Sequence, residues 1–506
     1  MNKKSVAVFL AVIFLVALTC RIYKLGIHPI GFFCDEVATG YNAYKIITTG
    51  RDEYGQQLPI LFRSFGNYRP GLPMYLTAPL VGLFGLNEFS TRLPAAVIGA
   101  LTVLAVFKLG KTLFNSALIG LLSALFLAIS PWHIQFSRYA EGHICLVFFL
   151  CLSLWLFFLS LQKTKLLPIS FFFFAISFYT YFPAYFLIPL MMLTITIIYF
   201  KRLWAIKKMF LLSIVIFAAA LLPLAWQLIH GEALARFKQV SSANQGKTRQ
   251  AIAKQMLITY KDHFSLDFLF FKGDIDYPTH FITRFSVRGM GQLYLFQLPL
   301  ILVGILAIFK NKQACALMLG WLLIYPLGST AAPFADGGGP FATRSIIGVV
   351  PWQILSALGA AGIFNIIKGK KVKIILTIIS SFIIIFSFGK YINRYFIQYP
   401  LYSSDFWGWQ YGPRKIIQYF FKVENNYDEL IMSYHFNAPE VFLDFYAPDN
   451  CQKCRIGDLS LAKPNLKQLF ALTQEEIKTG QNEIVIHQKI YYPNNQLAFV
   501  IFELAN

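Results

Sequence analysis

Residues 30–55 read IGFFCDEVATGYNAYKIITTGRDEYG and directly follow an apolar N-terminal run of membrane length, residues 5–24. Two acids, Asp35 and Glu36, stand side by side here between aromatic and small apolar residues. Two adjacent carboxylates in such a setting cannot both ionise without cost, so the pKa of one should rise towards that of a general base. The stretch therefore predicts chemistry at the end of a membrane span, with a solvated pair of loop acids as the alternative.

The composition of the chain is that of a polytopic membrane protein. Of its 506 residues, 57% are hydrophobic and only 14% are charged, and 51 are phenylalanines. A soluble domain cannot bury this much apolar surface, whereas a membrane protein exposes it to lipid. The net charge of +21 comes largely from lysines in short runs between apolar segments, as the positive-inside rule expects. Because no nucleic-acid-binding motif is present, nucleic acid is not an expected partner.

Eleven apolar segments are long enough to cross a membrane. They lie at about residues 5–24, 92–109, 115–133, 142–161, 166–182, 183–200, 209–229, 291–309, 315–331, 345–367 and 373–391. A further run, residues 71–86, is shorter than the roughly 20 residues that a crossing needs. With Lys3 and Lys4 inside, eleven spans put the later lysine clusters inside, whereas twelve would put them outside. We therefore predict that residues 71–86 lie at the outer membrane interface.

The same count places all 24 acidic residues on the outer side of the membrane. Many of those that precede the last span lie in a first outer loop, residues 25–91, and in a long outer loop, residues 230–290. Chemistry that needs a carboxylate can therefore occur only on the outer face.

Residues 392–506 predict a small outer α/β domain after the membrane domain of residues 1–391. Segments 428–436, 482–490 and 497–504 have the pattern of strands, and segments 438–447 and 465–472 that of helices. Cys451 and Cys454 are the one close pair among seven cysteines, which favours a local disulfide over a redox site. The predicted fold class is an all-α polytopic membrane protein with a small C-terminal α/β domain.

Basic residues on the outer side form a second group of site candidates. Arg69 lies at the entry of segment 71–86, and Arg92 lies at the mouth of the next span. Guanidinium groups bind phosphate bidentately, and the alternative for both residues is snorkelling at the membrane edge. Further outer clusters contribute Arg138, His280 and Arg344 as candidate substrate-binding residues.

The outer turn of residues 130–143 is the richest of these clusters. It holds His133, Arg138, Glu141 and His143. Pairing of Arg138 with Glu141, three residues apart, is the plain structural alternative. The histidine spacing fits no standard ligand pattern, so we assign no metal ligand, and a divalent metal stays open as a cofactor.

These motifs resemble those of the GT-C glycosyltransferases, specifically the protein O-mannosyltransferases and the aminoarabinose transferase of lipid A. The likeness covers roughly residues 1–365 and is most specific in CDEVATGYNAYKIITTG (34–50), in residues 67–109 and in ALFLAISPWHIQFSRYAEG (124–142). Weaker matches are residues 176–190, 273–305 and 343–352. The resemblance implies a GT-C fold with about eleven transmembrane helices in a bacterial inner membrane, with a cytoplasmic N-terminus and a periplasmic C-terminus.

The resemblance also implies roles for individual residues. Asp35 corresponds to the catalytic base, with Glu36 beside it, and Glu141 corresponds to a supporting acid where aspartate is more usual. Arg69 corresponds to a basic residue at the lipid phosphate, although relatives often read lysine- or histidine-Pro-Pro-Leu where this chain reads RPGLP. Arg92, in RLPAA, corresponds to a functional position of the mannosyltransferases.

The expected function is transfer of a sugar from a polyprenyl-phosphate donor to an acceptor hydroxyl on the periplasmic face, with inversion. The expected partners are that donor, a lipid, glycan or protein acceptor, and the membrane. Two alternatives are a transporter or flippase of lipid-linked sugars, and a non-catalytic membrane scaffold with an outer sensing domain. Transporters place ionisable groups within their spans, and no predicted span interior carries an acid here.

Overall fold

Residues 2–230, 246–448, 451–478 and 483–505 are described by the computed structural model of the chain. Within these ranges, every segment predicted to cross the membrane contains a helix. Residues 231–245 of the predicted long outer loop lie outside the described residues.

The described part of residues 2–403 contains seventeen α-helices. The first ten are α1 (Lys3–Ile22), α2 (Cys34–Thr49), α3 (Leu72–Phe84), α4 (Glu88–Phe114), α5 (Ala117–Ile129), α6 (Pro131–Ser137), α7 (His143–Ser160), α8 (Leu167–Ser177), α9 (Ala184–Ala205) and α10 (Lys207–His230). The others are α11 (Arg249–Asp262), α12 (Gln297–Ile308), α13 (Lys312–Ile324), α14 (Leu327–Thr330), α15 (Val349–Ile366), α16 (Lys370–Asn393) and α17 (Tyr399–Ser403).

Eight helices of the described chain are long and apolar enough to cross a membrane, fewer than the eleven predicted spans. The difference lies in three segments. Helices α5 and α6 meet at a 60° bend and give a ninth candidate if they form one broken span, while α8 and α12 are shorter apolar helices. Segment 71–86 forms α3, whose 13 residues rise roughly 20 Å, against about 30 Å of hydrocarbon. Its length therefore agrees with the prediction that it does not cross.

The helices form a bundle with a buried centre and a lipid-facing periphery. The apolar window of α4 is 72% buried, and that of the segment Ile346–Ile366, which contains α15, is 83% buried. By contrast, the window in Lys207–Ile229 is 11% buried and that in Lys370–Ser403 is not buried at all. Because apolar side chains on these outer helices have no protein cover, lipid must provide it.

A small hairpin follows α2 and fixes the position of Arg69. Strands β1 (Leu61–Ser64) and β2 (Asn67–Pro70) pair antiparallel, and Phe62 lies opposite Arg69. The two turn residues, Phe65 and Gly66, have φ angles of 48° and 74°. Positive φ at both positions is the geometry of a tight two-residue hairpin turn, which sets the register of both strands.

The C-terminal domain is the predicted α/β unit. It contains α18 (Pro413–Val423), β3 (Glu429–Met432), α19 (Glu440–Tyr446), β4 (Cys454–Ile456), β5 (Gln468–Leu472), α20 (Gln474–Lys478), β6 (Ile484–Tyr491) and β7 (Leu497–Leu504). The sheet order is β4-β3-β5-β7-β6, with parallel pairing around β3 and antiparallel pairing around β7. The expected disulfide between Cys451 and Cys454 is present at the start of β4.

The predicted helix over residues 465–472 is wrong, because residues 468–472 form the strand β5. All five residues of β5 are buried, and the strand pairs with β3 on one side and β7 on the other. A short apolar run buried on both faces has no alternating pattern, so periodicity cannot distinguish it from a buried helix. Sheet pairing across the domain decides the conformation here.

Candidate active site

A polar cavity of about 360 Å³ lies at one end of the helical bundle. Its walls are the first turn of α2, strand β2, the turn before α7 and the loops before α12 and α15. The C-terminal part of the chain closes it with Trp407 and Asn437. Among the predicted site residues, the cavity brings together Asp35, Arg69, Glu141 and Arg344.

One arginine bridges the two acids of the cavity. The Arg69 guanidinium forms an ion pair with the Asp35 carboxylate through Nη2, and Nη1 lies 3.5 Å from Glu141 Oε1. The other oxygen of Glu141 is 3.0 Å from His143 Nε2. The side chains of Asp35, Arg69 and Glu141 keep 18–19% exposure, so they are partly open to the cavity.

Neighbouring charges control the protonation of these groups. Burial alone would raise the pKa of Glu141, but His143 and Arg69 together lower it to about 2. Burial alone would lower the pKa of Arg69, but Asp35 and Glu141 raise it above its ordinary value. Both groups are therefore charged at neutral pH, and the bridge is ionic.

The start of α2 presents Asp35 to the cavity. Asp35 and Glu36 lie in its first turn, where the helix dipole favours negative charge. No side chain of the helix itself caps this end. The cap comes instead from Gln410, whose Oε1 accepts a hydrogen bond from the Cys34 N–H at 3.3 Å. A residue 376 positions away thus helps to fix the helix that carries Asp35.

The turn that carries Glu141 depends on the glycine that follows it. A Cβ atom on Gly142 would stand 1.7 Å from the carbonyl oxygen of Thr180. Only glycine permits this close approach of two backbones, because any side chain would force the turn away. Gly142 and Thr180 both line the cavity, so the contact sets the distance between its walls.

Two further arginines line the cavity. Arg284 donates from Nη1 to the Trp407 carbonyl at 2.6 Å, and Arg344 is ion-paired with Asp336. Within the described residues, Arg284 Nε and Arg344 Nη1 are buried and have no hydrogen-bond partner. A buried unpaired guanidinium N–H is costly, so an acceptor that reached either group would stabilise it.

Glu36 and Arg92 do not line the cavity, which differs from the expected roles as catalytic and phosphate-binding residues. Both side chains are fully buried and form a two-contact ion pair at 2.7 and 2.9 Å. Arg92 also donates to the carbonyls of Pro29 and Gly31, and Glu36 accepts from the Ala140 N–H. Burial raises the pKa of Glu36, although Arg92 opposes the shift. The pair fastens α2 to α4 and to the turn before Glu141.

Arg138 and His280 also lie outside the cavity lining. Arg138 is fully buried and donates to backbone carbonyls at the end of α1 and to the Tyr395 hydroxyl. The ring nitrogens of His280 lie 2.7 Å from the Asp274 carbonyl and 2.5 Å from that of Gly338. These contacts hold loops in place, so neither side chain has a free group for a substrate.

Sequence reasoning missed Arg284 and the C-terminal contribution. Arg284 stood in an outer cluster with Arg288, and nothing in the sequence separated the cavity residue from its exposed neighbour. Trp407 and Asn437 belonged to a domain that carried no predicted site. No group of three or more histidine, cysteine or acidic side chains placed to hold a metal ion occurs in the part of the chain that the structure describes.

Comparison with known proteins identifies the fold. The sequence profile of the dolichyl-phosphate-mannose-protein mannosyltransferase family matches residues 69–226. The structure of ArnT from Cupriavidus metallidurans bound to undecaprenyl phosphate superposes with a TM-score of 0.55 at 11% identity, covering 99% of this chain and 98% of ArnT. The chain has the GT-C glycosyltransferase fold. Because the match to ArnT covers nearly all of both chains, the GT-C likeness includes the C-terminal domain.

Two archaeal structures share the GT-C fold over less of their length. The Archaeoglobus fulgidus oligosaccharyltransferase in its apo form gives a TM-score of 0.51 at 13% identity. AglB from the same organism, in complex with an inhibitory peptide and a dolichol-phosphate, gives 0.51 at 14% identity. Each match covers 88% of this chain but only 64% of the oligosaccharyltransferase. The comparison with curated proteins found no significant match.

Proposed function

We propose that the chain is a membrane glycosyltransferase that moves a sugar from a polyprenyl-phosphate donor to an acceptor hydroxyl. The observation that carries this proposal is the Asp35–Arg69–Glu141 bridge in a polar cavity at the end of a GT-C bundle. A carboxylate and a cation that suits phosphate thereby line one cavity, so both could act on the same bound donor. The ligands named for the ArnT and AglB structures, undecaprenyl phosphate and dolichol-phosphate, support this donor class.

The donor phosphate would bind to the arginines of the cavity. Arg69 would supply one guanidinium group, and the unpaired N–H groups of Arg284 and Arg344 would supply two further hydrogen-bond donors. Guanidinium groups suit phosphate because they form bidentate charge-assisted hydrogen bonds. A polyprenyl chain stays in the bilayer because of its apolar surface, so a phosphate site at a bundle end suits such a donor.

Asp35 would act as the general base. Its carboxylate takes the proton of the acceptor hydroxyl while the acceptor oxygen forms a bond to C1 of the sugar. The bond between C1 and the phosphate oxygen breaks, and polyprenyl phosphate leaves with the electron pair. Attack from the face opposite the leaving group inverts the configuration at C1. The arginines stabilise the negative charge that develops on the leaving phosphate.

Glu141, Glu36 and Arg92 would act through other groups. Glu141 shares Arg69 with Asp35 and so holds the cation between donor and base. The buried Glu36–Arg92 pair fixes the first turn of α2 and with it the direction of Asp35. Both are positioning roles, since the geometry gives Glu36 and Arg92 no contact with the cavity.

The test is a transfer assay with the purified chain in lipid nanodiscs. Sugars carried on polyprenyl phosphate are offered with candidate acceptors, and the products are followed by mass spectrometry for release of polyprenyl phosphate and gain of one sugar. Transfer that depends on Asp35 supports the proposal. Movement of the intact donor across proteoliposomes without any release of polyprenyl phosphate would identify a flippase instead.

A further inference from the structure

A second cavity, of about 350 Å³, lies on the other side of the first outer loop from the candidate active site. It is lined by the segment after α1, the start of α4, the linker at residues 410–412, and helices α18 and α19. Among the described residues, the two cavities share no lining residue. The second cavity is therefore a separate site between the membrane domain and the C-terminal domain.

The lining of the second cavity is mostly apolar. Ile27 and Ile30 line it with partly or fully exposed side chains, and the buried Phe32 and Phe442 complete its apolar wall. The one acid of the lining, Glu88, is already engaged: its Oε1 accepts from the Tyr446 hydroxyl at 2.7 Å and lies 3.3 Å from Arg414 Nη1. The interior therefore suits a hydrocarbon chain rather than a sugar or a cation.

Two cations lie on the exposed edge of this cavity. Arg414 and Lys415, in the first turn of α18, line it, and the Arg414 side chain is 47% exposed. Helix α18 buries Ile416, Ile417 and Phe420 on its opposite face, so the two cations face away from the domain core. A cavity with an apolar interior and a basic edge is complementary to an amphiphile with an anionic head.

The position of the cavity suits a lipid of the bilayer. It lies beyond the last residue of α1 and beside the first residue of α4. Both of these helices are candidate spans, and the two ends lie on the same side of the membrane. Close by, Ile27 is 51% exposed, and Leu83 and Phe84 at the end of α3 are 75% and 53% exposed. Uncovered apolar side chains at the ends of spans belong at the level of the lipid headgroups and upper acyl chains.

We propose that the second cavity binds one acyl chain of an anionic phospholipid, with the lipid phosphate held by Arg414 and Lys415. A free phosphate would leave the apolar interior empty. A neutral lipid would leave Lys415, which has no ion pair among the described residues, without a counter-ion, whereas Arg414 already lies beside Glu88. The catalytic groups assigned above are all in the other cavity, so the bound phospholipid would be neither donor nor acceptor.

The bound lipid would stabilise the segment that leads into the active site. Gly31 lines the second cavity, and its carbonyl accepts a hydrogen bond from Arg92 Nη2 at 2.8 Å. Arg92 in turn holds Glu36, the neighbour of Asp35. Filling the cavity should therefore raise the thermal stability of the whole chain, a readout that does not depend on transfer activity.

The experiment uses the full chain in nanodiscs of phosphatidylglycerol or of phosphatidylcholine, with native mass spectrometry and thermal unfolding as readouts. We expect one retained phosphatidylglycerol, bound about tenfold or more tighter than phosphatidylcholine, and a higher Tm in phosphatidylglycerol. The double variant Arg414→Gln/Lys415→Gln should lose both effects. The matched control is Lys422→Gln, an exposed cation of the same helix that does not line the cavity and should keep both.

Three outcomes would overturn the proposal. Equal retention of the two phospholipids by the unmodified chain would show that no anionic site exists. An equal loss in Lys422→Gln would show only general attraction to a charged surface. Displacement of phosphatidylglycerol by polyprenyl phosphate would assign the cavity to the donor. None of these readouts uses sugar transfer. The lipid site can therefore be refuted without refuting the proposed glycosyltransferase activity, and the activity can be refuted without refuting the lipid site.

Discussion

Arg69 is ion-paired to Asp35 across 34 residues of chain, and the same guanidinium lies 3.5 Å from Glu141. One cation thus faces two acids, and Glu141 has His143 as a second partner. A phosphate that enters the cavity competes for this cation, because phosphate also forms charge-assisted hydrogen bonds with arginine. Binding of the donor would then release the Asp35 carboxylate to an acceptor hydroxyl. Under the proposed function, the bridge would link use of the donor to the availability of the base.

Asp35→Asn should abolish most of the transfer activity without unfolding the protein. The amide keeps the size of the side chain but cannot take up the acceptor proton, and general-base catalysis contributes roughly 10²- to 10⁴-fold. We expect a loss of kcat of that order, measured with the nanodisc transfer assay, and a Tm close to that of the unmodified chain. Glu53→Gln is the matched control, because Glu53 is an acid of the same outer loop that does not line the cavity. Normal transfer by Asp35→Asn would remove the base from the mechanism.

Arg69→Ala and Arg344→Ala should weaken use of the donor. Each removes charge-assisted contacts worth roughly 1.5–3 kcal/mol, which corresponds to about a ten- to hundredfold loss in kcat/KM for the donor. Arg288→Ala is the matched control, because Arg288 is 51% exposed, pairs with Asp276 and does not line the cavity. An equal loss in all three variants would indicate a general effect of surface charge and would contradict the phosphate site.

Glu36→Gln and Arg92→Gln should destabilise the protein much more than Asp35→Asn does. Removing one partner of a buried ion pair leaves the other charged and unpaired, at a cost of about 3–5 kcal/mol. The double variant should cost less than the sum of the two single changes, because neither charge is then left alone. Thermal unfolding in detergent provides the measurement. If Glu36→Gln unfolds like the unmodified chain and loses only activity, Glu36 belongs to the chemistry.

The adjacent acids illustrate which parts of the site can be predicted from sequence. The pair lies at the helix end that borders the cavity, and Arg69 and Glu141, which were chosen from outer segments, also line it. However, neighbouring residues of a helix point about 100° apart, so one acid faces the cavity and the other the core. The helical pattern alone does not show which of the two acids faces the cavity. That assignment depends on Arg92, which is 56 residues away and reaches Glu36 only in the folded bundle.

The contribution of the C-terminal domain could not be predicted for a related reason. Gln410 caps α2, and Trp407 accepts a hydrogen bond from Arg284 at its backbone carbonyl. A backbone acceptor has no residue-type signature, and a glutamine in a linker has many alternatives. Local patterns predicted the long helices of the membrane domain and three of the seven described strands, because hydrophobic periodicity is a local property. Contacts between distant segments are not a local property, so local patterns do not predict them.

Glu53 should contribute stability that is lost as the pH rises from about 4.5 to about 7. Burial raises the pKa of Glu53 from 4.5 to about 7, with Asn42 opposing the shift and Asp444 adding to it. Between these values the folded state holds a proton that the unfolded state has lost, so rising pH favours unfolding. The effect is at most roughly 3 kcal/mol. Relative to the unmodified chain, the Tm of Glu53→Gln should increase as the pH rises through this window, and a constant difference in Tm between the two chains would contradict the assignment.

The orientation of the chain is testable because the lysine clusters and the cavity lie at opposite ends of the same helices. Helix α7 begins at the cavity residue His143 and ends just before Lys163 and Lys165. Helix α9 begins just after the cavity residue Phe182 and ends near Lys207. The positive-inside rule places the lysine ends in the cytoplasm, so the cavity should open on the opposite side.

Reporters fused at Lys163, Lys207 or Lys370 should therefore behave as cytoplasmic, and a reporter fused after Asn393 as extracytoplasmic. Alkaline phosphatase, which is active only outside the cytoplasm, and green fluorescent protein, which folds inside, give opposite readings at each position and control for each other's expression. The α3 segment decides the result, because counting it as a full span would reverse the side of every later loop. An extracytoplasmic reading at Lys207 would contradict this orientation and would leave the lysine ends outside, against the positive-inside rule.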